Sequence, residues 1–185
     1  MSGPGRPDVD ARPWLPDLTC AARSDAPVLI TGDRDADLRT VATAIHRGSR
    51  RARGPLMMID CAEASDVVIE SRLFGTAADG AAGTTPGLFD QADRGTLFLV
   101  RVDAMSGKLQ ARLLEFLEGC QVRRVGAQRA HARVDVRLIS SAARRLFEQR
   151  VGAGFRRDLF YRLNTIHLVV PPGGGGGHHN REQRA

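Results

Sequence analysis

The segment VLITGDRDADLRTVATAI, residues 28–45, decides the fold of this chain. It opens with four β-branched or aliphatic residues that end at Gly32, which is the pattern of a short buried strand. The apolar residues after the turn share one helical face, at positions i, i+3, i+4 and i+7: Leu38, Val41, Ala42 and Ile45. The segment therefore predicts a strand, a tight turn and an amphipathic helix in that order.

The turn stands where a phosphate-binding loop would stand, but its charges are of the opposite sign. In a loop of the pattern G-x-x-x-x-G-K-[ST], glycines allow close backbone approach, while the lysine and the helix N-terminus neutralise phosphate. Here Leu38 takes the lysine position, and Asp35 and Asp37 take the later glycine positions. A carboxylate about 5 Å from a phosphate oxygen costs roughly 3 kcal/mol at an effective dielectric near 20. The sequence therefore predicts that this loop disfavours nucleotides.

Two interpretations of the loop stay open. Carboxylates at a helix N-terminus cap the helix and suit its dipole, so the aspartates have a structural role available. If a phosphate role survives, its candidate residues are Gly32 and Asp33, in a degenerate loop that runs to Arg39. Lys108 is the only lysine of the chain and belongs to another predicted helix.

Composition predicts one folded domain. The chain has 185 residues, of which 42% are hydrophobic, and this is enough to bury a core. The net charge of +6 is compatible with nucleic acid or acidic partners, but the basic residues are spread along predicted helices, which favours a solvated surface. The abundance of arginine, alanine and glycine suggests a bacterial genome rich in GC pairs.

Cysteine usage and hydropathy point to the cytoplasm. Cys20, Cys61 and Cys120 are odd in number and have no C-x-x-C spacing, so neither a disulfide framework nor a zinc site is expected. No metal site is predicted, and His178 and His179 are assigned to a solvated tail. The chain shows no apolar run of about 18 residues and no signal sequence, so no membrane association is expected.

The distribution of proline and glycine along the chain predicts three regions. Residues 1–20 form a disordered Pro/Gly-rich leader, 21–172 a core, and 173–185 a Gly-rich flexible tail. Strands are expected at residues 28–31, 56–59, 96–102, 122–125, 134–139 and 166–170, and helices at 37–48, 67–73, 106–119, 144–151 and 155–163. Strands that alternate with helices predict an α/β fold with a mainly parallel sheet covered on both faces.

Eight short sequence segments, in their order along the chain, resemble those of a known family. They are DAPVLITGD (25–33), AIHRGSRR (44–51), ESRLFG (70–75), GLFDQADRGTLFL (87–99), LQARLLEFLEG (109–119), RRVG (123–126), VDVRLI (134–139) and GFRRDLFYRLN (154–164). Together they resemble the sigma-54 interaction (AAA+) domain of bacterial enhancer-binding proteins, which are ATPases that remodel RNA polymerase carrying sigma-54. The resemblance implies an AAA+ P-loop-type three-layer α/β/α core, here expected without the family's helical lid.

The chain departs from the family at the positions that handle ATP and magnesium. Val100 and Arg101 stand where the family has Asp-Glu, and Ala143 stands at the polar sensor position. A hard cation needs oxygen ligands, and the nearby Asp103 is the alternative source of one. We therefore expect no ATP or magnesium cofactor and no ATPase activity. We also expect Arg101 to enter the emptied site and to pair with Asp35 or Asp37.

The resemblance assigns partner-binding roles to two further regions. The sigma-54-contacting GAFTGA loop corresponds to residues 79–84, where alanines replace its aromatic and threonine, so sigma-54 contact is not carried over. Arg156 and Arg162 match the family's arginine-finger positions, which implies docking to AAA+ homologue subunits; an exposed surface is the alternative. No helix-turn-helix follows the core, so no direct DNA-binding domain is expected.

Three functions remain open from the sequence. The first is a degenerate member of this regulatory family, linked to transcription regulation, that acts by docking to AAA+ partners without hydrolysing ATP. The second is a weak ATP-binding sigma-54-dependent regulator. The third is a non-functional remnant that keeps a folded core.

Overall fold

A computed structural model of the chain describes residues 15–32, 35–77, 84–129, 132–144 and 154–171. Its helices are α1 (Leu15–Arg23), α2 (Asp35–Arg47), α3 (Asp66–Phe74), α4 (Leu88–Gln91), α5 (Gly107–Gly119) and α6 (Arg157–Leu163). Its strands are β1 (Val28–Gly32), β2 (Leu56–Asp60), β3 (Thr96–Val100), β4 (Gln121–Val122), β5 (Ala132–Arg133), β6 (Arg137–Ala143) and β7 (Ile166–Val169).

Five strands form one parallel sheet in the order β2-β3-β6-β1-β7. Since all these strands point the same way, their carboxyl ends share one edge of the sheet and their amino ends share the other. The segments 28–32 and 96–100 are buried throughout, as expected for strands that are covered on both faces. In open sheets of this kind ligands bind at the carboxyl edge, so that edge holds the candidate site.

Helices cover both faces of the sheet, which confirms the predicted three-layer α/β/α architecture. Alternate residues of β3 belong to different hydrophobic clusters: Leu97 and Leu99 join the cluster built with α3, α5 and α6. Phe98 and Val100 join the cluster built with α1 and α2. This alternation follows from the two-residue repeat of a strand. The longest helices, α2 and α5, have 13 residues each. No helix in the described ranges is long and apolar enough to span a bilayer.

Helix α1 corrects the disordered leader expected for residues 1–20 from Leu15 onwards, whereas residues 1–14 lie outside the described residues. Ala21 and Ala22 of this helix are buried against the rest of the core. Pro16, one of the prolines that suggested disorder, is compatible with a helix because it lies in the first turn, where a missing N–H removes no helical hydrogen bond. At the other end of α1, the buried guanidinium of Arg137 donates to the carbonyl of Ala21.

Other boundaries differ from the prediction for local reasons. Strand β3 ends at Val100 instead of residue 102 because Arg101 adopts a left-handed conformation with φ 53°. Strand β6 covers residues 137–143 instead of 134–139, and the expected strand at 122–125 is reduced to one side of the short β4-β5 hairpin. Helix α4 was not predicted because its four residues are too few for a periodic pattern. The helix expected near residues 144–151 lies mostly outside the described residues.

Candidate nucleotide-binding edge

Leu38, at the position of the phosphate-binding lysine, is part of the core. Its side chain is only 2% exposed and belongs to the cluster formed with α1 and α2. A Cβ placed on Gly32 would lie 2.8 Å from Cδ2 of Leu38 and 3.1 Å from the carbonyl oxygen of Val170. A side chain on Gly32 would therefore crowd Leu38 and Val170, and the apolar side chain of Leu38 packs against the carboxyl end of β1.

Arg101 occupies the carboxyl end of β3 and forms a two-point ion pair with Asp60, the last residue of β2. Its Nε lies 2.9 Å from Oδ1 of Asp60, and its Nη2 lies 2.7 Å from Oδ2. The backbone N–H of Arg101 donates to the hydroxyl of Ser141 on β6 at 3.2 Å. A left-handed residue with a β-carbon is strained by about 1 kcal/mol, so these contacts hold an unfavourable backbone conformation in place.

Arg39 contacts the same carboxylate from the first turns of α2. Its Nη2 lies 3.2 Å from Oδ2 of Asp60, so one aspartate is shared by two arginines. Burial of Asp60 disfavours its charged form, but hydrogen bonds from Arg101 and the Ala62 amide, together with both arginine charges, outweigh burial and lower its pKa. Asp60 is thus an ionised carboxylate at neutral pH, held by a cluster that we call the Arg39–Asp60–Arg101 plug.

The residues at this edge do not fit a magnesium nucleotide. Val100 is fully buried and has no oxygen to offer, and Asp60 is already neutralised by arginines. Asp103 has one buried carboxylate oxygen without a hydrogen-bond partner in the described part of the chain, but a single oxygen is not a magnesium site. No group of three or more metal-ligating side chains occurs among the described residues. Ala143 ends β6 without a polar side chain.

Burial keeps the nearby thiol of Cys61 protonated. Burial, with the charges of Asp60 and Asp103, raises the pKa of Cys61 to about 12, although Arg101 opposes this. The thiol is therefore neither a nucleophile nor a metal ligand at neutral pH. Within the described residues, the edge offers packed and paired groups instead of free reactive ones.

Both candidate arginine fingers lie on or beside α6 and form ion pairs within the chain. Arg156 makes two contacts with Asp158, at 3.1 and 2.7 Å, and Arg162 lies 3.1 Å from Glu118 on α5. Their side chains remain 44% and 46% exposed, so a partner can reach them. The structure therefore places Arg156 at the N-cap of α6 and Arg162 in its last turn, and gives each an acidic neighbour that the sequence did not indicate.

Gln110 fixes the segment that carries Arg156. This side chain is fully buried in α5 and donates to the carbonyls of Met105 and Gly154, at 2.7 and 2.9 Å. Its Oε1 accepts the backbone N–H of Arg156 at 2.8 Å. Because every bond of the amide is satisfied inside the core, Gln110 sets the position where α6 begins.

The loop that corresponds to the sigma-54-contacting segment is closed at its base. Thr76 and Thr85 exchange two backbone hydrogen bonds, at 3.1 and 3.0 Å. Gly75 has φ 74°, and a Cβ on it would lie 2.7 Å from the backbone nitrogen of Gly87, so the two glycines allow the strands of the base to meet. Residues 78–83, which include most of the tip, lie outside the described residues.

The sequence located the candidate edge but missed the residue at its centre. Arg101 was expected to meet Asp35 or Asp37; its described partner is Asp60, and the side chain of Asp35 is outside the described residues. Asp33 is also outside them. Gly32 and Arg39 do come to this edge, whereas Arg156 and Arg162 lie on α6. The available signal for Asp60 was its place at the end of a strand, because the carboxyl ends of neighbouring parallel strands converge.

Comparison with known proteins gives one consistent result. A sequence profile of the family described as the Sigma-54 interaction domain matches residues 11–169. The chain is 41% identical over 158 residues to the Regulatory protein AtoC of Escherichia coli (strain K12), a match that covers 84% of this chain and 34% of AtoC. It is 43% identical over 158 residues to the Anaerobic nitric oxide reductase transcription regulator NorR of Citrobacter koseri, covering 84% and 31%.

The fold also matches a solved structure. NtrX from Brucella abortus, crystallised in complex with ATP, superposes with a TM-score of 0.79 at 31% identity, covering 91% of this chain and 37% of NtrX. The chain thus spans about a third of the length of the relatives it matches. The other parts of AtoC, NorR and NtrX lie outside the aligned regions.

Proposed function

This chain belongs to the Sigma-54 interaction domain family of transcription regulators, and from that premise we propose that it is a member that neither holds nor hydrolyses ATP. Its activity would then be that of a docking subunit: it contacts AAA+ homologues and alters what they do. Kinship with AtoC and NorR supports the link to transcription regulation. The inactive nucleotide edge is proposed from this chain's own residues.

The observation that carries the proposal is the Arg39–Asp60–Arg101 plug. Arg101 takes the position of a family carboxylate and neutralises Asp60, so positive charge stands where a magnesium ion would need oxygen ligands. Leu38 supports the same conclusion, since the phosphate-gripping ammonium is replaced by a buried side chain. These are independent losses of cation binding and phosphate binding.

A calorimetric titration tests the nucleotide half of the proposal. The purified full chain is titrated with ATP in the presence of magnesium, beside a relative with an intact G-x-x-x-x-G-K-[ST] loop as the positive control. We expect no heat of binding for this chain at concentrations that saturate the control. Micromolar binding, or magnesium-dependent release of phosphate, would overturn the proposal.

The docking half relies on the exposed arginines of α6. Arg156 and Arg162 keep nearly half of their side-chain surface in solvent, and their ion pairs with Asp158 and Glu118 are surface pairs that a partner can replace. Mixed with an ATP-hydrolysing homologue, this chain is expected to change the rate of hydrolysis by that homologue. The double variant R156A/R162A should lose the effect, while Arg129→Ala, an exposed arginine outside α6, should keep it. An unchanged rate together with no co-elution would overturn the docking role.

Weak ATP binding is the alternative, and one observation favours it. The chain resembles NtrX, which was crystallised with ATP, over 91% of its length. Gly32 is retained, and Asp103 keeps an unpartnered buried oxygen at the same edge. The calorimetric titration separates the two functions, since the alternative predicts a saturable signal that Asp103→Asn weakens.

A further inference from the structure

A cluster of arginines lies at the edge of the sheet opposite the plug. Arg50 and Arg53 lie in the loop before β2, and Arg94 lies directly before β3. Since these strands are parallel, the segments that precede them share the amino edge of the sheet. Arg23 ends α1 and Arg47 ends α2, and both helices finish at this same edge. We call Arg23, Arg47, Arg50, Arg53 and Arg94 the amino-edge patch.

Close contacts join the segments that carry the patch. A Cβ on Gly48 would lie 3.1 Å from Cβ of Ala22, so the ends of α1 and α2 touch. A Cβ on Gly54 would lie 2.6 Å from the carbonyl oxygen of Arg94, so the loop before β2 packs on the turn before β3. The ends of α1 and α2 are therefore in contact, as are the loop before β2 and the turn before β3, although the patch residues are up to about seventy positions apart in sequence.

Arg51 holds this surface together from within. Its Nε lies 3.2 Å from Oδ1 of Asp25, after α1. Its Nη2 lies 2.7 Å from Oδ1 of Asp135, before β6, and its Nη1 donates to the carbonyl of Asp135 at 3.0 Å. The carbonyl of Asp135 also accepts the backbone N–H of Arg94 at 2.8 Å. Arg51 balances only one of these two carboxylate charges, so the two aspartates together offset one positive charge of the patch.

The patch keeps an excess of positive charge. Its five arginines are exposed, and four of them, Arg23, Arg47, Arg50 and Arg53, have no carboxylate within ion-pair distance in the described part of the chain. The fifth, Arg94, is 89% exposed and has only a long contact of 4.0 Å to Asp93. Asp25, Asp93 and Asp135 offset three of the six arginines at this edge when Arg51 is included, so three positive charges remain there, against +6 for the whole chain. The sequence had suggested an even spread, because the clustering appears only after folding.

We propose that the amino-edge patch binds the phosphate backbone of double-stranded DNA. Guanidinium groups suit phosphate in geometry and charge, and contacts of this kind bind DNA without reading its sequence. This inference is independent of the plug and of any docking to AAA+ subunits. It concerns a surface of the core and not a separate DNA-binding domain.

Among the described residues, the patch segments have no large exposed apolar side chain, and this favours duplex DNA over membranes, proteins and single-stranded nucleic acids as the binding partner. The large exposed apolar side chains of the described residues are Val67, Val68, Tyr161 and Val169, and none is in the patch segments. Membrane surfaces need apolar side chains that insert, stable protein interfaces are usually built around a buried apolar or aromatic core, and single strands need aromatic stacking. Bare exposed arginines supply none of these, but they match the closely spaced phosphates of a duplex.

Fluorescence anisotropy tests the proposal on the full chain. The probe is a labelled duplex of about 20 base pairs of arbitrary sequence at about 50 mM NaCl, and we expect a dissociation constant of roughly 1–100 μM. R50E/R53E should weaken binding at least about tenfold and should reduce the slope of log affinity against log salt by about 2. The matched control R129E/R157E makes the same change in net charge at two exposed arginines outside the patch, and should weaken binding less than about threefold.

Each other outcome overturns the proposal. If the chain does not bind the duplex, the proposal is wrong. If R50E/R53E and R129E/R157E weaken binding equally, binding depends on net charge and not on the amino-edge patch. Tighter patch-dependent binding to duplex RNA, or patch-dependent binding to phosphatidylserine vesicles without DNA binding, assigns the surface to a different partner. Circular dichroism and thermal unfolding of both variants confirm that the compared proteins are equally folded.

Discussion

Arg101 lies across the carboxylate of Asp60, with Nε to Oδ1 at 2.9 Å and Nη2 to Oδ2 at 2.7 Å, and so links the carboxyl ends of β3 and β2. The side chain of Asp60 is 12% exposed, whereas that of Arg101 is 42% exposed. The pair is therefore partly shielded from water. It joins the carboxyl ends of two adjacent strands.

Replacing the shared carboxylate should destabilise the fold. Asp60→Asn keeps the size of the side chain but removes the negative charge that Arg39 and Arg101 share. We expect the free energy of unfolding to fall by about 1–3 kcal/mol, measured by urea denaturation. Glu63→Gln, which removes a 61% exposed carboxylate 3.7 Å from Arg72, should change it by less than about 0.5 kcal/mol. Equal effects of the two substitutions would contradict a stabilising plug.

The cost of Asp60→Asn should depend on pH in a defined direction. The pKa of Asp60 is lowered below its ordinary value of 3.8 in the folded protein, so its ionised form stabilises the fold above the unfolded pKa. That contribution is lost as the pH falls through the lower folded pKa. The difference in unfolding free energy between wild type and variant should be constant above about pH 5 and shrink below about pH 4. A difference that grew in acid would show that another group is responsible.

The carboxylate of Glu70 is also shared by two cations, Lys108 and Arg112. We expect the loss of each cation to lower the free energy of unfolding by a different amount. Glu70, 8% exposed on α3, lies 3.0 Å from Nζ of Lys108 and 2.6 Å from Nη1 of Arg112 on α5. Arg112 is 15% exposed and also lies 4.4 Å from the centre of the Phe74 ring, whereas Lys108 is 74% exposed. In chemical denaturation, Arg112→Met should cost about 3 kcal/mol and Lys108→Met less than about 1 kcal/mol. A larger loss of stability for Lys108→Met than for Arg112→Met would mean that exposure to solvent does not determine the strength of these two ion pairs.

The sequence predicted the layers better than the contacts at the edges. The helical stripe that includes Leu38 and the continuous apolar run that includes Leu97 indicate which segments are helix and strand, because both patterns are local in the sequence. The pairing of Arg101 with Asp60 depends on β2 lying beside β3, and strand order has no local signal. The amino-edge patch was missed for the same reason, since Arg50 and Arg94 meet only through the sheet. Helix α1 was missed because proline in a first turn resembles proline in a leader.

Gln110 should control local opening before α6. Gln110→Leu keeps the shape of the side chain but leaves the carbonyls of Met105 and Gly154 and the N–H of Arg156 without their partner. We expect a loss of about 2–4 kcal/mol in stability and, by hydrogen exchange, a larger loss of protection at residues 154–157 than in β1. The exposed Gln91→Leu serves as control. Uniform loss of protection over the whole chain would mean that Gln110 supports only global stability.

Thiol reactivity should separate the three cysteines. Burial, with the charges of Asp60 and Asp103, raises the pKa of Cys61 to about 12, while Cys20 and Cys120 are exposed. Under native conditions a chromogenic disulfide reagent at about pH 8 should modify two thiols quickly, and the third only after unfolding. The variant C20S/C120S should show no fast phase. Three fast thiols would indicate that the edge near Cys61 is open to solvent.

Restoring a lysine at the former phosphate loop should weaken the fold without restoring nucleotide binding. Leu38→Lys places an ammonium group where a 2% exposed side chain packs against Gly32 and Val170. We expect the free energy of unfolding to fall by about 2–4 kcal/mol, while Leu38→Met, which conserves volume and polarity, should cost less than about 1.5 kcal/mol. ATP titration of Leu38→Lys should stay silent, because Arg39 and Arg101 still hold Asp60. A stable lysine variant that bound ATP would mean that this one substitution, and not the plug, had disabled the site.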